Sequence, residues 1–408
     1  MSKTSDGVGF VAGALPGEDV DAEVLDVKKK FWKGRAVLVR DSSPRRRSGP
    51  HAEGCAGCDW SHYDPAAALT SKRALFLETM ERIGGVPGSA FGDLPIEESA
   101  LAYRLRNRFH VSGRGDSARI GYFAPGTHDV TSAENCEALS EPMRVLLPKL
   151  GAAVARSGAA VLEIATVESL DARQRLARAT LPAGALRPDA NALLDALFDL
   201  FDGVAIADTE GDVLARGGER RLWIPVGDRE HPVTAATFFQ SNRHLLDSLQ
   251  GGVAREAAFT GPGRALDLFG GVGFFAGALL EAGHAVITVE ANHAAVEQAA
   301  AAKKRWRAAG WEIHHGDALA FLDRTRERFD VTVADPPRAG LGAALARTLA
   351  RRAGRSLVYV SCEPATLARD LAVLLAEGLP IRSARLYDLY PLTHRVEAVV
   401  ALSPSKEE

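Results

Sequence analysis

Short apolar runs and helical-period segments alternate strictly along the last third of the chain. Runs at 265–268, 286–289, 331–334 and 357–360, with a weaker one at 312–315, are separated by segments whose apolar residues recur every three or four positions. Continuous apolar runs bounded by turn residues are buried on both faces, so the pattern predicts a parallel, doubly wound sheet covered by helices. The last two runs, 384–386 and 396–402, have no helical segment between them and predict a terminal hairpin.

The pattern upstream is different. Residues 8–41 hold short apolar pieces broken by Pro16-Gly17 and Lys33-Gly34, which predicts a small β-barrel. A basic Ser/Pro/Gly stretch follows, then Cys55-Ala56-Gly57-Cys58, then a helix over 64–83 that starts at Asp64-Pro65, an N-cap with proline at the first position. Between 95 and 230, strand patterns at 104–111, 119–123 and 161–167 mix with helical ones at 142–156 and 190–200. The expected organisation is therefore a barrel at 1–44, a cysteine-bearing linker with a helix at 45–90, a central α+β domain at 91–235, and the doubly wound domain at 236–408. No repeat or low-complexity tract interrupts it.

Length and composition add limits. A chain of 408 residues that is 46% apolar builds more than one ordinary core. It lacks both a secretory-type apolar segment at its start and any long uncharged stretch, so no membrane span and a cytoplasmic location are expected. Four cysteines are too scattered for a disulfide scaffold. The net charge of −3 is unevenly spread: nine basic residues against Asp41 alone lie between Lys28 and Arg47, and Arg104, Arg106, Arg108 and His110 form a second basic run. Two such runs upstream of a catalytic module point to RNA as partner. A monomer is the expected state.

Candidate chemistry gathers at the ends of the apolar runs. Asp267-Leu268-Phe269-Gly270-Gly271-Val272-Gly273 places an acid and a glycine loop at the first strand-to-helix turn. Glycine loops alone also serve nucleotides, but Asp267 would repel a pyrophosphate and suits the ammonium and sulfonium of S-adenosyl-L-methionine. Glu290, ending the second strand, is placed for ribose hydroxyls, and Asp317, after the third, for an adenine amino group. Each acid alone is an ordinary capping or loop residue, and the ordered set carries the reading. Asp335-Pro336-Pro337 is followed by Arg338 rather than by the aromatic residue usual where exocyclic amines are methylated. A pyrimidine C5 must first be activated by a thiolate adding at C6, and Cys362, in Ser361-Cys362-Glu363-Pro364, supplies one thiol at a strand end. The C5 proton must later be removed. Glu397, an acid inside an apolar terminal strand, is the candidate base, and His394 its rival.

These segments, together with Phe238-Phe239-Gln240-Ser241-Asn242 and Pro391 to Glu397, resemble the RNA (uracil-5-)-methyltransferase family over nearly the whole chain. The resemblance implies that Gln240, Phe269, Glu290 and Asp335 contact S-adenosyl-L-methionine, that Cys362 is the nucleophile and Glu397 the base, and that the product is 5-methyluridine in structured RNA. The amino-terminal barrel is similar to a TRAM domain, an OB-like RNA-binding module, which favours large-subunit ribosomal RNA over transfer RNA. Relatives with that domain often bind a [4Fe-4S] cluster through four cysteines. Here Cys55, Cys58 and Cys136 match three positions, and Gly49-Pro50-His51 stands at the first. A cluster completed by His51 or an outside ligand, a zinc ion, or cysteines without metal all remain open. So do cytosine-C5 methylation, which lacks its usual second cysteine here, and a non-catalytic RNA-binding assembly factor.

Overall fold

The computed structural model describes residues 2–4, 7–48 and 57–404. Its carboxyl-terminal half is an eight-stranded sheet in the order Trp311–His315, Ala285–Glu290, Arg264–Leu268, Val331–Ala334, Ser356–Ser361, Glu397–Leu402, Ile381–Tyr387, Ile96–Glu97. The first five strands run parallel, and Glu397–Leu402 is inserted antiparallel to both neighbours. The sheet is covered on both faces, as its apolar strands require. One face packs against helices Leu246–Ala258, Phe274–Glu281 and His293–Trp306. The other packs against helices Ala318–Arg324, Gly342–Arg352 and Pro364–Ala376.

Helix Pro65–Gly84 joins this second face, although it lies far upstream in sequence. Asp64 caps it by accepting a 2.9 Å hydrogen bond from Ala67 N, and Pro65 opens it without losing a needed donor. Its buried Phe76 and Met80 face Pro364–Ala376, and Gly84 meets the Ala368 carbonyl so closely that a Cβ there would overlap it.

The central section is a seven-stranded sheet ordered Val213–Gly218, Gly203–Asp208, Arg175–Leu181, Glu163–Glu168, Arg106–Ser112, Arg119–Phe123, Val130–Ser132. One of its faces is covered by helices Glu141–Ser157 and Arg187–Phe198 through Phe109, Ile164, Ala179, Leu150 and Leu193. A hairpin, Leu222–Val226 with Arg229–Val233, leads from it into the carboxyl-terminal half. At the amino end four strands, Ser2–Thr4, Gly7–Ala12, Phe31–Asp41 and Asp19–Val27 in that order, form a separate sheet. Among the described residues no helix is long and apolar enough to cross a membrane.

Candidate active site

Strand Arg264–Leu268 has its two chain successors on opposite sides, Ala285–Glu290 on one and Val331–Ala334 on the other. Such a switch point opens a crevice at the carboxyl ends of the strands. Phe269, Asp335 and Cys362 are each the first residue beyond a strand at that edge. The antiparallel insertion brings the fourth group: Ser361 pairs with Ala398, so Glu397, one residue earlier on its strand, arrives beside Cys362.

The glycine loop is shaped by what lies beneath it. Phe269 takes a left-handed φ of 60° and Gly273 one of 90°. A Cβ on Gly270 would overlap the Asp267 carboxylate and the Thr288 methyl, and one on Gly273 the Trp311 ring. Glu290 accepts hydrogen bonds from Gly271 N at 2.9 Å and Asn292 N at 2.6 Å, tying the loop to the second strand. Gln240 Nε2 lies 3.4 Å from Asp335 Oδ2, which puts the 238–242 segment over the crevice.

Asp267 is wholly buried. It accepts a 3.1 Å bond from Thr288 Oγ1 on Oδ2, while Oδ1 is buried with no hydrogen-bond partner. Burial, then the nearby Asp335 and Glu290, push its carboxyl up to about 8, against the Thr288 bond. Burial likewise pushes Asp335 up to about 7. Glu397, 2% exposed, is raised well above the usual carboxylate range by burial and then by Asp335, with Arg338 opposing. The Cys362 thiol is pushed up to about 11 by burial, Glu397 and Asp335, and Arg338 again opposes. Four acids and a thiol thus converge with one guanidinium among them, an arrangement that favours a cationic ligand and holds protons ready for transfer.

The segment preceding Glu397 is anchored from four sides. Lys72, 1% exposed, donates to Asp388 Oδ1 at 2.5 Å and to the Tyr390 carbonyl at 3.0 Å. Asn242 donates to the Leu389 carbonyl at 3.0 Å, Trp60 N to the Leu392 carbonyl at 2.9 Å, and the Tyr103 hydroxyl to the Pro391 carbonyl at 3.4 Å. His394 is engaged elsewhere, its Nδ1 held 2.5 Å from Asp59 Oδ2. The tyrosine so anchored, Tyr390, has its hydroxyl pKa raised by burial and then by the nearby Glu397 and Cys362. In front lies a cleft of about 440 Å³ lined by Arg104, Arg106, Arg338, Tyr390, Arg395 and Ser241, among others.

The residues expected from sequence therefore divide. Gln240, Phe269, Glu290, Asp335, Cys362 and Glu397 meet at one edge. Asp317 lies at the same carboxyl edge, beyond the strand next to Glu290 and two strands from Arg264–Leu268, exposed, its carboxylate capping helix Ala318–Arg324 through a 2.9 Å bond from Ala320 N. Cys58 and Cys136 are buried together in the core around Tyr103, and Cys55 falls outside the described residues, as do Gly49 and His51. Among the described residues no third His, Cys, Asp or Glu completes a metal-binding group with those two thiols. Linear reading missed Arg338 and Tyr390. Arg338 follows Asp335-Pro336-Pro337 directly, so its position beside the nucleophile follows once both strand ends share an edge.

Comparison with known proteins matches this geometry. A family model described as tRNA (Uracil-5-)-methyltransferase matches residues 316–405. The 23S rRNA (uracil(1939)-C(5))-methyltransferase RlmD of Pseudomonas entomophila is 32% identical over 96% of this chain and 87% of its own. An uncharacterized RNA methyltransferase of Streptomyces avermitilis is 31% identical over 99% and 95%. The crystal structure of Pyrococcus abyssi tRNA (uracil-54, C5)-methyltransferase, in complex with S-adenosyl-L-homocysteine, superposes with a TM-score of 0.77 over 98% of both chains at 23% identity, which bears on the fold. A relative this similar over nearly the full length of both chains, together with a doubly wound sheet that sets a lone cysteine beside a buried glutamate, makes this protein an enzyme of the RNA (uracil-C5)-methyltransferase family.

Proposed function

We propose that the protein transfers the methyl group of S-adenosyl-L-methionine to C5 of a uridine in large-subunit ribosomal RNA, in the cytoplasm, through a covalent bond between Cys362 and C6. The observation that carries the reading is the meeting of Cys362 and Glu397 with Asp335 and Arg338 at the strand edge. S-adenosyl-L-methionine supplies an electrophilic methyl on a positively charged sulfur, and the buried acids Asp267 and Asp335, which ionise more readily as the cation enters, with Glu290 on the loop, provide a cavity of the opposite sign. Cys362, once its proton has passed to solvent, adds to C6 as the thiolate and places electron density on C5 and the O4 enolate, where the charge of Arg338 stabilises it. Glu397, whose desolvated site makes its ionised form a strong base, then accepts the C5 proton as the carboxylate, and the thiolate leaves.

Ribosomal RNA is favoured by the substrates named for relatives that match this chain nearly end to end. Deletion of the gene should remove a single 5-methyluridine from 23S ribosomal RNA while leaving that of transfer RNA in place. Loss from transfer RNA alone would reassign the substrate.

The amino-terminal sheet is read as a TRAM-like module for the same RNA. The linker cysteines are read as a metal site. Cys58 and Cys136 are both buried in the core around Tyr103, near enough to its hydroxyl for both to raise its pKa. With Cys55 they offer three soft thiolates, enough for a cubane cluster whose fourth iron takes His51 or an outside ligand. A metal there would fix Asp59 and Trp60, and through them the segment leading to Glu397. Anaerobically purified protein should be brown and contain iron by elemental analysis. Preparations with neither iron nor zinc would leave the cysteines held by packing alone.

A further inference from the structure

The central sheet packs one face on its helices; on the other, Val167 and Leu176 are buried against the carboxyl-terminal half, and the row beside them is only partly covered. Phe109, Ile164, Ala179 and Ile206 point into the helices, so alternation sends Arg108, Ala165, Arg178 and Ala205 to the opposite side. Strand register sets these in one transverse row. Arg108 pairs with Ala165, Ala165 with Arg178, Arg178 with Ala205, and Ala205 with Arg216. Three arginines thus alternate with alanines across five strands, about 10 Å apart at their roots given the spacing of two strands. Small residues between them leave the guanidinium groups room to reach outward.

The row is chemically unspent. The side chains of Arg178, Arg216 and Arg220 make no hydrogen bond or ion pair with another described residue, and that of Arg108 has only a contact with Glu163 at 3.3 Å. At one end Arg106, on the same face two residues before Arg108, lines the catalytic cleft with its Nε buried and unpartnered. At the other end Arg178, Arg216, Arg220 and Arg221 line a groove of about 210 Å³ against Glu219 and Glu297. The groove's far wall is 234–237, the segment leading directly to the exposed Phe238 and to Gln240 over the active site.

We infer that this partly open row is a track for the phosphodiester backbone of the substrate RNA, running from the cleft beside the active site across Arg108, Arg178 and Arg216 to the groove. The inference rests on the RNA-methylating reading above and gives that substrate a direction across the protein. Charge complementarity selects the occupant, because evenly spaced guanidinium groups along one sheet row suit a repeating polyanion.

The test is the double variant R178Q/R216Q, titrated with a 23S ribosomal RNA transcript over a range of sodium chloride. The slope of log affinity against log salt should fall by about 1 for each arginine removed, and KM for the RNA should rise while kcat at saturating RNA is kept. A control, R351Q/R352Q on the far side, should keep the wild-type slope, and R178K/R216K should restore it. A slope equal to wild type in R178Q/R216Q overturns the track. Loss of polyglutamate binding with an unchanged RNA slope would also overturn it, giving the face to an acidic protein. Wild-type protein that methylates no RNA would instead defeat the functional reading, and the binding slopes are measured without turnover.

Discussion

Replacing Cys362 with alanine should lower methyl transfer to RNA by at least about a thousandfold, equivalent to about 4 kcal/mol of lost transition-state stabilisation. The uracil C5 gains its nucleophilic character only while C6 carries the thiolate, so no neighbouring group can take over. Affinity for S-adenosyl-L-methionine should stay near wild type, because the acids that answer its charge sit on other strand ends: Asp267, Glu290 and Asp335. The thiol is only partly buried at its strand end, so the smaller side chain leaves the fold in place. Because burial, Glu397 and Asp335 push the thiol up to about 11, the free protein holds it protonated at neutral pH, and attack must coincide with proton loss. Activity should therefore climb from neutral toward alkaline pH, as a raised thiol pKa demands. Single-turnover transfer of a labelled methyl group, with calorimetry for the donor, checks both halves. Turnover above about a thousandth of wild type would remove the covalent route.

Much of this site can be read from residue order because parallel sheets put strand ends on one edge. The apolar runs ending at Leu268, Ala334 and Ser361 locate Phe269, Asp335 and Cys362, and the helix-free stretch before Glu397 announces the antiparallel strand. Contacts that depend on register or on distant segments are not visible in that way. The two-residue strand Ile96–Glu97 joins the edge of the large sheet by pairing with Leu386 and Tyr387, and two residues carry no periodicity to detect. Lys72 reads as a surface residue of an amphipathic helix until Asp388 is brought to it from the other end of the chain.

Charge shows the same limit. Of the nine basic residues from Lys28 to Arg47, five are spoken for: Lys28 by Asp26, Arg35 by Glu23, Arg40 by Asp21, Arg46 by Glu18 and Arg47 by Glu137. A linear count sees the cluster but not the cross-strand acids that neutralise it. The arginines of the central sheet are the reverse case, scattered in sequence and aligned only by pairing.

Substituting Glu397 with glutamine should stop the reaction halfway. The amide keeps the size of the side chain inside a strand where Glu397 is 2% exposed, so the fold is preserved, but it cannot accept the C5 proton. Attack by Cys362 and methyl transfer need no base at that position, and elimination does. Protein and RNA should therefore remain joined after methylation. Turnover should fall to the rate at which water substitutes for the carboxylate, about a hundredfold to ten-thousandfold below wild type. His394 lines the cleft in front of the site, but Asp59 holds its Nδ1 at 2.5 Å and its ring is exposed, so it is not expected to fill the gap.

The most direct measurement is mass spectrometry of the E397Q protein after incubation with RNA and S-adenosyl-L-methionine, followed by nuclease and protease digestion. The peptide carrying Cys362 should appear with the added mass of a methylated uridine nucleotide, and the adduct should vanish in the E397Q/C362A double variant. An adduct mapped to any other residue, or normal turnover by E397Q with no adduct, would contradict covalent catalysis by Cys362 with Glu397 as its base.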